Sequence, residues 1–252
     1  MPLSVELTAV SEILPWRDLY RQEMNCQAVC DSLHPRPGWC QEYWLLDGRE
    51  RVGYGSVVLA GPWKDKPTLF EFYVLPKYRG QMFALFETLL AATSVDWLYG
   101  QSNDPLFMPM LLTYARAITV EAILFHDKLT TSLAAPAGAV FRAATDDDVA
   151  RSTEEQKVEA GEWLLECQGQ IAATGGILYH YNRPYGDIYM GVAEPFRRRG
   201  CGSYLVQELK RVCYERGSVP AARCNVTNLA SRRTLQRAGF VPCGNRVEGK
   251  VG

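Results

Sequence analysis

Long apolar runs are missing from this chain, and so is an N-terminal segment in which positive charge precedes apolar residues. A membrane-spanning helix needs about 20 consecutive apolar residues, and a secretion signal needs the second pattern. The formal net charge is only −1, which argues against a nucleic-acid partner. We therefore expect a cytoplasmic protein with neither a membrane nor a nucleic-acid partner.

The spacing of a metal site is also lacking. The chain has only 3 histidines, and its 8 cysteines are scattered. Cys26 and Cys30 lie one helical turn apart, but no second Cys or His pair stands at the spacing typical of zinc sites. The sequence therefore predicts reduced thiols and no bound metal.

Domain organisation follows from the chain length and from one break in the apolar pattern. The 252 residues, of which 47% are hydrophobic, suffice for one large or two ordinary domains. Leu129–Gly138 (LTTSLAAPAG) has no strong apolar period and is typical of a linker. We predict domains over residues 1–128 and 139–252. A polar helical segment is predicted over Asp146–Ala160.

The most informative segment is Val192–Cys213 (VAEPFRRRGCGSYLVQELKRVC). Apolar residues alternate just before it, as in a strand, whereas Leu205 and Leu209 share one face at helical spacing. Gly200 and Gly202 would let an anion approach the main chain at the helix N-terminus, where unpaired N–H groups and the helix dipole point. The segment therefore predicts a phosphate-binding loop with three arginines beside it.

The loop alone leaves a second interpretation open. It is not a P-loop, because no Gly-Lys-Ser/Thr follows the glycines, and the three-glycine spacing of the Rossmann fingerprint is absent. Arg197–Arg199 are equally compatible with a solvated turn, and Gly200 with a simple helix boundary.

A second segment, Ala222–Gly244 (ARCNVTNLASRRTLQRAGFVPCG), favours the first interpretation. It predicts a short strand that ends at Asn225–Asn228 and a helix over Leu229–Ala238. Together the two segments resemble the GNAT superfamily of N-acetyltransferases, and the resemblance extends from Val140 to Gly252. The family's Arg/Gln-x-x-Gly-x-Gly/Ala pattern, its Asn followed by a small residue and its Gly-Phe are matched by Arg197, Gly200, Gly202, Asn228, Ser231, Gly239 and Phe240.

The resemblance implies an α/β fold with tandem GNAT-like domains, each a twisted, mixed and mainly antiparallel sheet flanked by helices. It also implies an acetyl-CoA site. The backbone of Met190, Gly191 and Val192 would pair with the pantetheine arm. The loop that would hold the pyrophosphate comprises Arg197, Arg198, Arg199, Gly200, Cys201, Gly202 and Ser203. Asn228 and Ser231 would hold the coenzyme near its thioester, although Asn228 is equally suited to capping a helix.

The catalytic residues depart from the family pattern. Many members have a tyrosine seven residues after the motif Asn, where this chain has Leu235, and some have a glutamate five residues before it, where this chain has Arg223. We name Asp187 and Tyr189 as candidate catalytic residues. Simple alternation puts Asp187 on the opposite strand face from Met190, and a β-bulge would reverse this. Weaker candidates, each also compatible with a solvated position, are His180, Glu162, Glu166 and Glu194.

The first half of the chain repeats the same plan. The segment VLPKYRGQMFALFETLLAA begins at Val74. With Val74 aligned on Val192, Met82 falls on Gly200, and a shift of two residues places Met82 on Gly202. In either register the methionine restricts the backbone, and its side chain would project into the space that a diphosphate needs. We predict a degenerate GNAT-like domain that has lost its coenzyme site.

The predicted function is that of an acyl-CoA-dependent N-acyltransferase with acetyl-CoA as cosubstrate. A primary amine, on a small molecule or a peptide, would attack the thioester directly. The alternative is a non-catalytic acyl-CoA-binding sensor or interaction protein, because the usual tyrosine and glutamate are replaced and the first half is degenerate. The acceptor and the oligomeric state are left open by the sequence.

Overall fold

The structure is a computed structural model that describes residues 2–27, 31–148 and 161–252. Cys30 and most of the predicted helical segment over Asp146–Ala160 lie outside the described residues. The chain divides into two compact units. Unit 1 comprises residues 1–122 and 244–252, and unit 2 comprises residues 123–243.

Unit 1 is a sheet with helices. Its elements are β1 (Leu3–Thr8), α1 (Val10–Met24), β2 (Cys40–Asp47), β3 (Glu50–Val58), β4 (Thr68–Val74), α2 (Met82–Ala92), β5 (Trp97–Gln101), α3 (Phe107–Tyr114) and the first part of β6 (Ala115–Asp127). Strands β1 to β4 pair antiparallel in sequence order, and β4 pairs with β5 in parallel. The end of the last strand of the chain, β12 (Phe240–Val251), pairs antiparallel with β5.

Unit 2 has the same kind of sheet. Its elements are the end of β6, β7 (Ala139–Ala143), β8 (Trp163–Cys167), β9 (Gln170–Leu178), β10 (Tyr185–Val192), α4 (Cys201–Glu215), β11 (Val219–Asn225), α5 (Leu229–Arg237) and the start of β12. Strands β7 to β10 pair antiparallel in sequence order, and β10 pairs with β11 in parallel. Both units therefore have the mixed, mainly antiparallel sheet that the resemblance implied.

The core of unit 2 lies between its sheet and α4. Leu205 and Leu209, which the sequence placed on one helix face, are fully buried there, together with Ile188 of β10. Burial of side chains of this size stabilises a fold by about 1.5–3 kcal/mol each. This packing fixes α4 against β10, so that the loop between them begins and ends on rigid elements.

The stretch Leu129–Gly138, predicted as a linker, has no regular secondary structure and is hydrogen-bonded to α4. Lys210 Nζ donates to the carbonyl oxygen of Leu129 at 3.1 Å, and the backbone N–H of Leu133 donates to Gln207 Oε1 at 2.7 Å. Within the described ranges, no helix combines the length and the apolarity needed to cross a membrane.

A buried network of charged side chains ties the elements of unit 1 together. The guanidinium of Arg17, on α1, donates two hydrogen bonds of 2.8 Å to the carboxylate of Glu71, on β4. His34 lies 2.7 Å from Glu42 through Nδ1 and 3.5 Å from Glu71 through Nε2. Burial opposes ionisation of Glu71, but Arg17 and His34 outweigh it and lower the pKa of this carboxyl well below its usual range.

His34 makes the stability of unit 1 dependent on pH. Burial lowers the pKa of His34, but Glu71 and Glu42 outweigh burial, so the net shift is upward. A raised folded-state pKa means that this contribution to stability is complete below the ordinary pKa, about 6.5, and is lost as pH rises through the raised value. We expect the urea midpoint of unit 1 to fall as pH rises from about 6.5 through the raised pKa of His34.

Tryptophan fluorescence measures this transition, because five of the six tryptophans lie in unit 1. The control is His34→Gln, in which the fall over this interval should disappear. The same pH dependence in both proteins would assign the effect to other groups.

Candidate functional site

The loop between β10 and α4 has an unusual backbone. After one 3₁₀ turn at Glu194–Phe196, Arg198 adopts a φ of 63° and Gly200 a φ of 85°. A positive φ is uncommon for arginine and costs glycine nothing. Gly200 is the N-cap of α4, and the first N–H groups of a helix have no partner within it. The loop therefore ends at a group of backbone donors that can bind an anion.

Gly202 has a different role from Gly200. A Cβ at Gly200 would have no heavy atom within 4 Å, whereas one at Gly202 would lie 3.0 Å from Val192 Cγ2 and 3.2 Å from Thr234 Cγ2. Gly202 thus allows α4 to pack closely on β10 and α5. Gly200 supplies the backbone conformation and leaves open space in front of the helix.

A cavity of about 820 Å³ lies in front of this helix end. Its wall contains residues of both sequence motifs. One motif lies in the loop after β10, and the other lies at the start of α5. The lining residues are Met190, Val192, Phe196, Arg197, Arg198, Gly200, Cys201, Gly202, Ser203, Asn228, Leu229, Ala230, Ser231, Arg233, Thr234 and Arg237. Of the predicted coenzyme-binding residues, all but Gly191 and Arg199 line it. The structure therefore brings together two segments that are about 30 residues apart in sequence.

The cavity wall carries positive charge only. Four arginines line it, namely Arg197, Arg198, Arg233 and Arg237, and no aspartate or glutamate is among the described lining residues. Arg233 and Arg237 lie one turn apart on α5, where they share a face. Sequence reasoning missed this pair, although their spacing after Asn228 was a usable signal. The wall therefore suits a ligand with several phosphates.

Beside the cavity, strands β10 and β11 separate. They pair at Tyr185 with Val219, at Gly186 with Pro220 and at Asp187 with Ala221, and the pairing ends there. On its other edge, β10 stays paired with β9 as far as Val192. The β10 edge from Ile188 to Val192 is thus left without β11 as a partner, and an extended ligand could add to it as a strand does.

Asn228 caps α5. Its side-chain oxygen accepts a hydrogen bond of 3.0 Å from the backbone N–H of Ser231. The capping interpretation of Asn228 is therefore confirmed, and its amide N–H groups are the donors that it can offer a ligand. Cys201 is buried in the core of unit 2, so it contributes to the cavity wall mainly through its backbone.

Asp187 and Tyr189, the candidate catalytic residues, lie on the face of β10 that is opposite the cavity. The pairing of β10 with β9 runs from Asp187 to Val192 without a register shift, so no bulge reverses the alternation. Asp187 and Tyr189 share one face, and Met190 shares the opposite face with Val192. Asp187 is buried and bonded to His180 Nε2 at 2.9 Å. Glu166, a weaker candidate, pairs with Arg142 at 2.9 Å.

Comparison with models of known protein families shows to which family this chain belongs. Residues 128–240 match the model of the acetyltransferase (GNAT) family, and residues 13–128 match that of an acetyltransferase (GNAT) domain. The chain belongs to the GNAT acetyltransferase family. The tandem arrangement predicted from the sequence is thereby confirmed.

Solved structures share the fold. A GNAT-family acetyltransferase from Colwellia psychrerythraea is 14% identical, with a TM-score of 0.72 over 99% of this chain and 100% of its own. A tandem GNAT protein from the clavulanic acid biosynthesis pathway is 15% identical, with a TM-score of 0.61 over 100% of this chain and 99% of its own. No curated protein matches the chain significantly. At these identities the likeness concerns the fold.

The GNAT domain of unit 1 has the equivalent loop in a different conformation. Arg79 Nε donates to the Val74 carbonyl at 3.1 Å, just as Arg197 Nε donates to that of Val192 at 3.3 Å, which supports the alignment of Val74 on Val192. However, Pro76–Gln81 forms a 3₁₀ helix that runs directly into α2, and Met82 has a φ of −60°.

The side chain of Met82 does not project in front of α2 as expected. It is partly buried against the apolar core of unit 1, because the helix begins one residue earlier than α4 does relative to the preceding strand. Arg79 is in addition paired with Glu23 at 2.5 Å. The loop of unit 1 therefore differs from that of unit 2 in its backbone and its charge.

One group of side chains in the described ranges has the composition of a metal site. Potential ligand atoms of His34, Cys40 and Glu42 lie within 4.8 Å of one another. Two of these residues already share the His34–Glu42 hydrogen bond. That the protein works without a bound metal stays a prediction from the sequence.

Proposed function

We propose that unit 2 is an acyl-CoA-dependent N-acyltransferase that transfers an acetyl group from acetyl-CoA to a primary amine. The observation that carries this proposal is the cationic cavity at the N-terminus of α4, whose wall contains both sequence motifs. The acceptor is a small molecule or a peptide, and it attacks directly, without a covalent enzyme intermediate. Unit 1 does not bind the coenzyme.

The residues present fit acetyl-CoA. The loop Arg198–Ser203 offers backbone N–H groups and an open approach at Gly200 for the pyrophosphate. The unpaired β10 edge at Met190–Val192 offers hydrogen bonds to the pantetheine arm. Acetyl-CoA supplies an activated thioester, so the chain has to position the amine and the thioester rather than activate a poor acyl donor.

Calorimetric titration tests the proposal. We expect acetyl-CoA and CoA to bind with one site per chain, because unit 1 lacks the loop conformation of unit 2. The absence of heat from either coenzyme at millimolar concentration would sink the proposal, and two sites per chain would overturn the assignment of unit 1.

The two arginines of α5 should contribute to the affinity for the coenzyme. We expect the double variant Arg233→Gln, Arg237→Gln to weaken CoA binding about tenfold at low salt, because it removes two charges that face phosphates. The loss should shrink at high salt. The control is Arg211→Gln on α4, whose exposed guanidinium pairs with Glu215 outside the cavity. An equal effect of this control would assign the loss to net charge alone.

The non-catalytic alternative rests on Leu235. This residue stands where many family members have tyrosine, and a leucine side chain has no proton to donate. It is buried in the core of unit 2. Amine-dependent release of the coenzyme thiol separates the two functions, because a sensor binds acetyl-CoA without turning it over.

A further inference from the structure

A histidine and an aspartate meet where β10 and β11 separate. Asp187 occupies the last paired position of the two strands. His180 lies in the loop between β9 and β10, and its Nε2 is 2.9 Å from Asp187 Oδ2. Neither residue lines the cavity, so its coenzyme-binding wall does not account for their contact.

The exposure of the two side chains differs. The side chain of Asp187 is 5% exposed, whereas that of His180 is 25% exposed. Arg223 Nε lies 3.5 Å from the same Asp187 oxygen. The Asp187 oxygen accepts a hydrogen bond from the imidazole and faces the Arg223 guanidinium. Nε2 of His180 therefore carries the hydrogen, and the lone pair of the neutral imidazole lies on Nδ1.

The pair lies close to the gap between the strands. Asp187 and Met190 are three residues apart on one strand, about 10 Å at a rise of about 3.3 Å per residue. Met190 faces the cavity, and Asp187 faces the other side of the sheet. A coenzyme arm laid along the open β10 edge would thus end near a base on the side opposite the cavity. An acceptor could approach from that side without displacing the coenzyme.

We propose that His180 is the general base for the acceptor amine and that Asp187 positions it; this rests on the proposed function. The neutral amine nitrogen attacks the thioester carbonyl carbon. A C–N bond forms, the C–S bond breaks with its electron pair on sulfur, and Nδ1 of His180 takes the proton that nitrogen loses. The thiolate is protonated by solvent, to which His180 returns its proton.

Other ionisable groups surround the pair. Besides Asp187, these are Arg223, whose guanidinium lies 5.8 Å from the ring centre of Tyr181, and Tyr181 itself, whose ring meets the imidazole edge-on at 4.8 Å. Tyr189 extends from the same strand face as Asp187.

The tautomer of His180 gives a test that needs no substrate. In ¹⁵N-histidine spectra of the full chain, we expect the Nε2–H form at pH 8. The chain has only 3 histidines, so His180→Gln identifies the signal. In Asp187→Asn, the amide can donate to Nε2, and we expect a shift to the Nδ1–H form, in which Nδ1 has no lone pair to accept a proton. An Nδ1–H form in the unmodified protein would overturn the proposal.

The pH dependence of turnover gives the second test. Acetyl-CoA would be used with the best acceptor from a panel of spermidine, L-lysine, tyramine and a short peptide with a free N-terminus. With a basic amine, log kcat/KM should rise with a slope of about two on the acid side of the profile, where both the amine and His180 must lose a proton. In His180→Gln the slope should fall to about one, and the rate at neutral pH should drop about a hundredfold.

Glutamine keeps a donor to Asp187 but cannot accept the proton, so a merely structural histidine would be replaced without a change of slope. The matched control is His126→Gln, on β6, which should leave both slope and rate unchanged. An unchanged slope in His180→Gln, with coenzyme binding and wild-type turnover intact, would overturn the role of His180 and leave the proposed function standing. Failure of the wild-type protein to bind acetyl-CoA would overturn the proposed function instead.

Discussion

Gly200→Met loses at least a hundredfold in affinity for acetyl-CoA while the protein stays folded. The substitution has two effects at one position. The φ of 85° is disfavoured for a side chain that has a Cβ, by about 1–2 kcal/mol. The new side chain also enters the open space in front of α4, where the pyrophosphate would accept hydrogen bonds from the backbone. Calorimetry measures the loss.

Gly217→Met is the control for this substitution. Gly217 lies just beyond the C-terminus of α4, has a φ of 73° and, like Gly200, has open space around its missing Cβ. A methionine at this position therefore introduces the same kind of backbone strain as Gly200→Met, at the opposite end of α4 and away from the cavity. We expect similar melting temperatures for the two variants and unchanged affinity for Gly217→Met. Equal affinity in the two variants would contradict the phosphate-binding role of the loop.

Arg17→Met destabilises unit 1 by about 3–5 kcal/mol, because it removes the guanidinium that pairs with the buried Glu71 carboxylate. Arg17 and Glu71 are each at most 2% exposed and are joined by two hydrogen bonds. Methionine fills much of the arginine volume, so little of the effect comes from a cavity. The measurement is urea unfolding followed by tryptophan fluorescence.

Two further variants separate charge from packing. Glu12→Gln breaks an ion pair with Arg51 in which both side chains are about half exposed, and it should cost at most about 1 kcal/mol. Adding Glu71→Gln to Arg17→Met removes the buried carboxylate charge that has lost its guanidinium, and it should recover part of the lost stability. A double variant less stable than Arg17→Met would show that the charge of Glu71 is not the cause.

Local patterns in the sequence predicted much of the fold. The helical spacing of Leu205 and Leu209 predicted the buried face of α4, and both side chains are fully buried there. The predicted helix over Leu229–Ala238 is α5, since Asn228 caps it and Gly239 follows it. The loop Arg197–Gly202 could be interpreted from composition because its glycines and arginines act locally.

Features that join distant segments could not be predicted in this way. The Arg17–Glu71 pair links residues 54 apart, and no local pattern distinguishes such a pair from two surface charges. The contact of His180 with Asp187 depends on the β9–β10 register. The direction of the Met82 side chain was not predicted, because it depends on where α2 begins and on the core against which the side chain packs.

The central claim is tested most directly by incubating the protein with acetyl-CoA and the panel of primary amines, and by following thiol release together with the mass of each acceptor. The proposed function predicts amine-dependent release of one thiol for each acetyl group gained by the acceptor. At acetyl-CoA concentrations below the dissociation constants of both proteins, release by Gly200→Met should be slower in proportion to its lower affinity. Tight binding of acetyl-CoA with no acetylated product from any amine would contradict catalysis and assign unit 2 to coenzyme sensing.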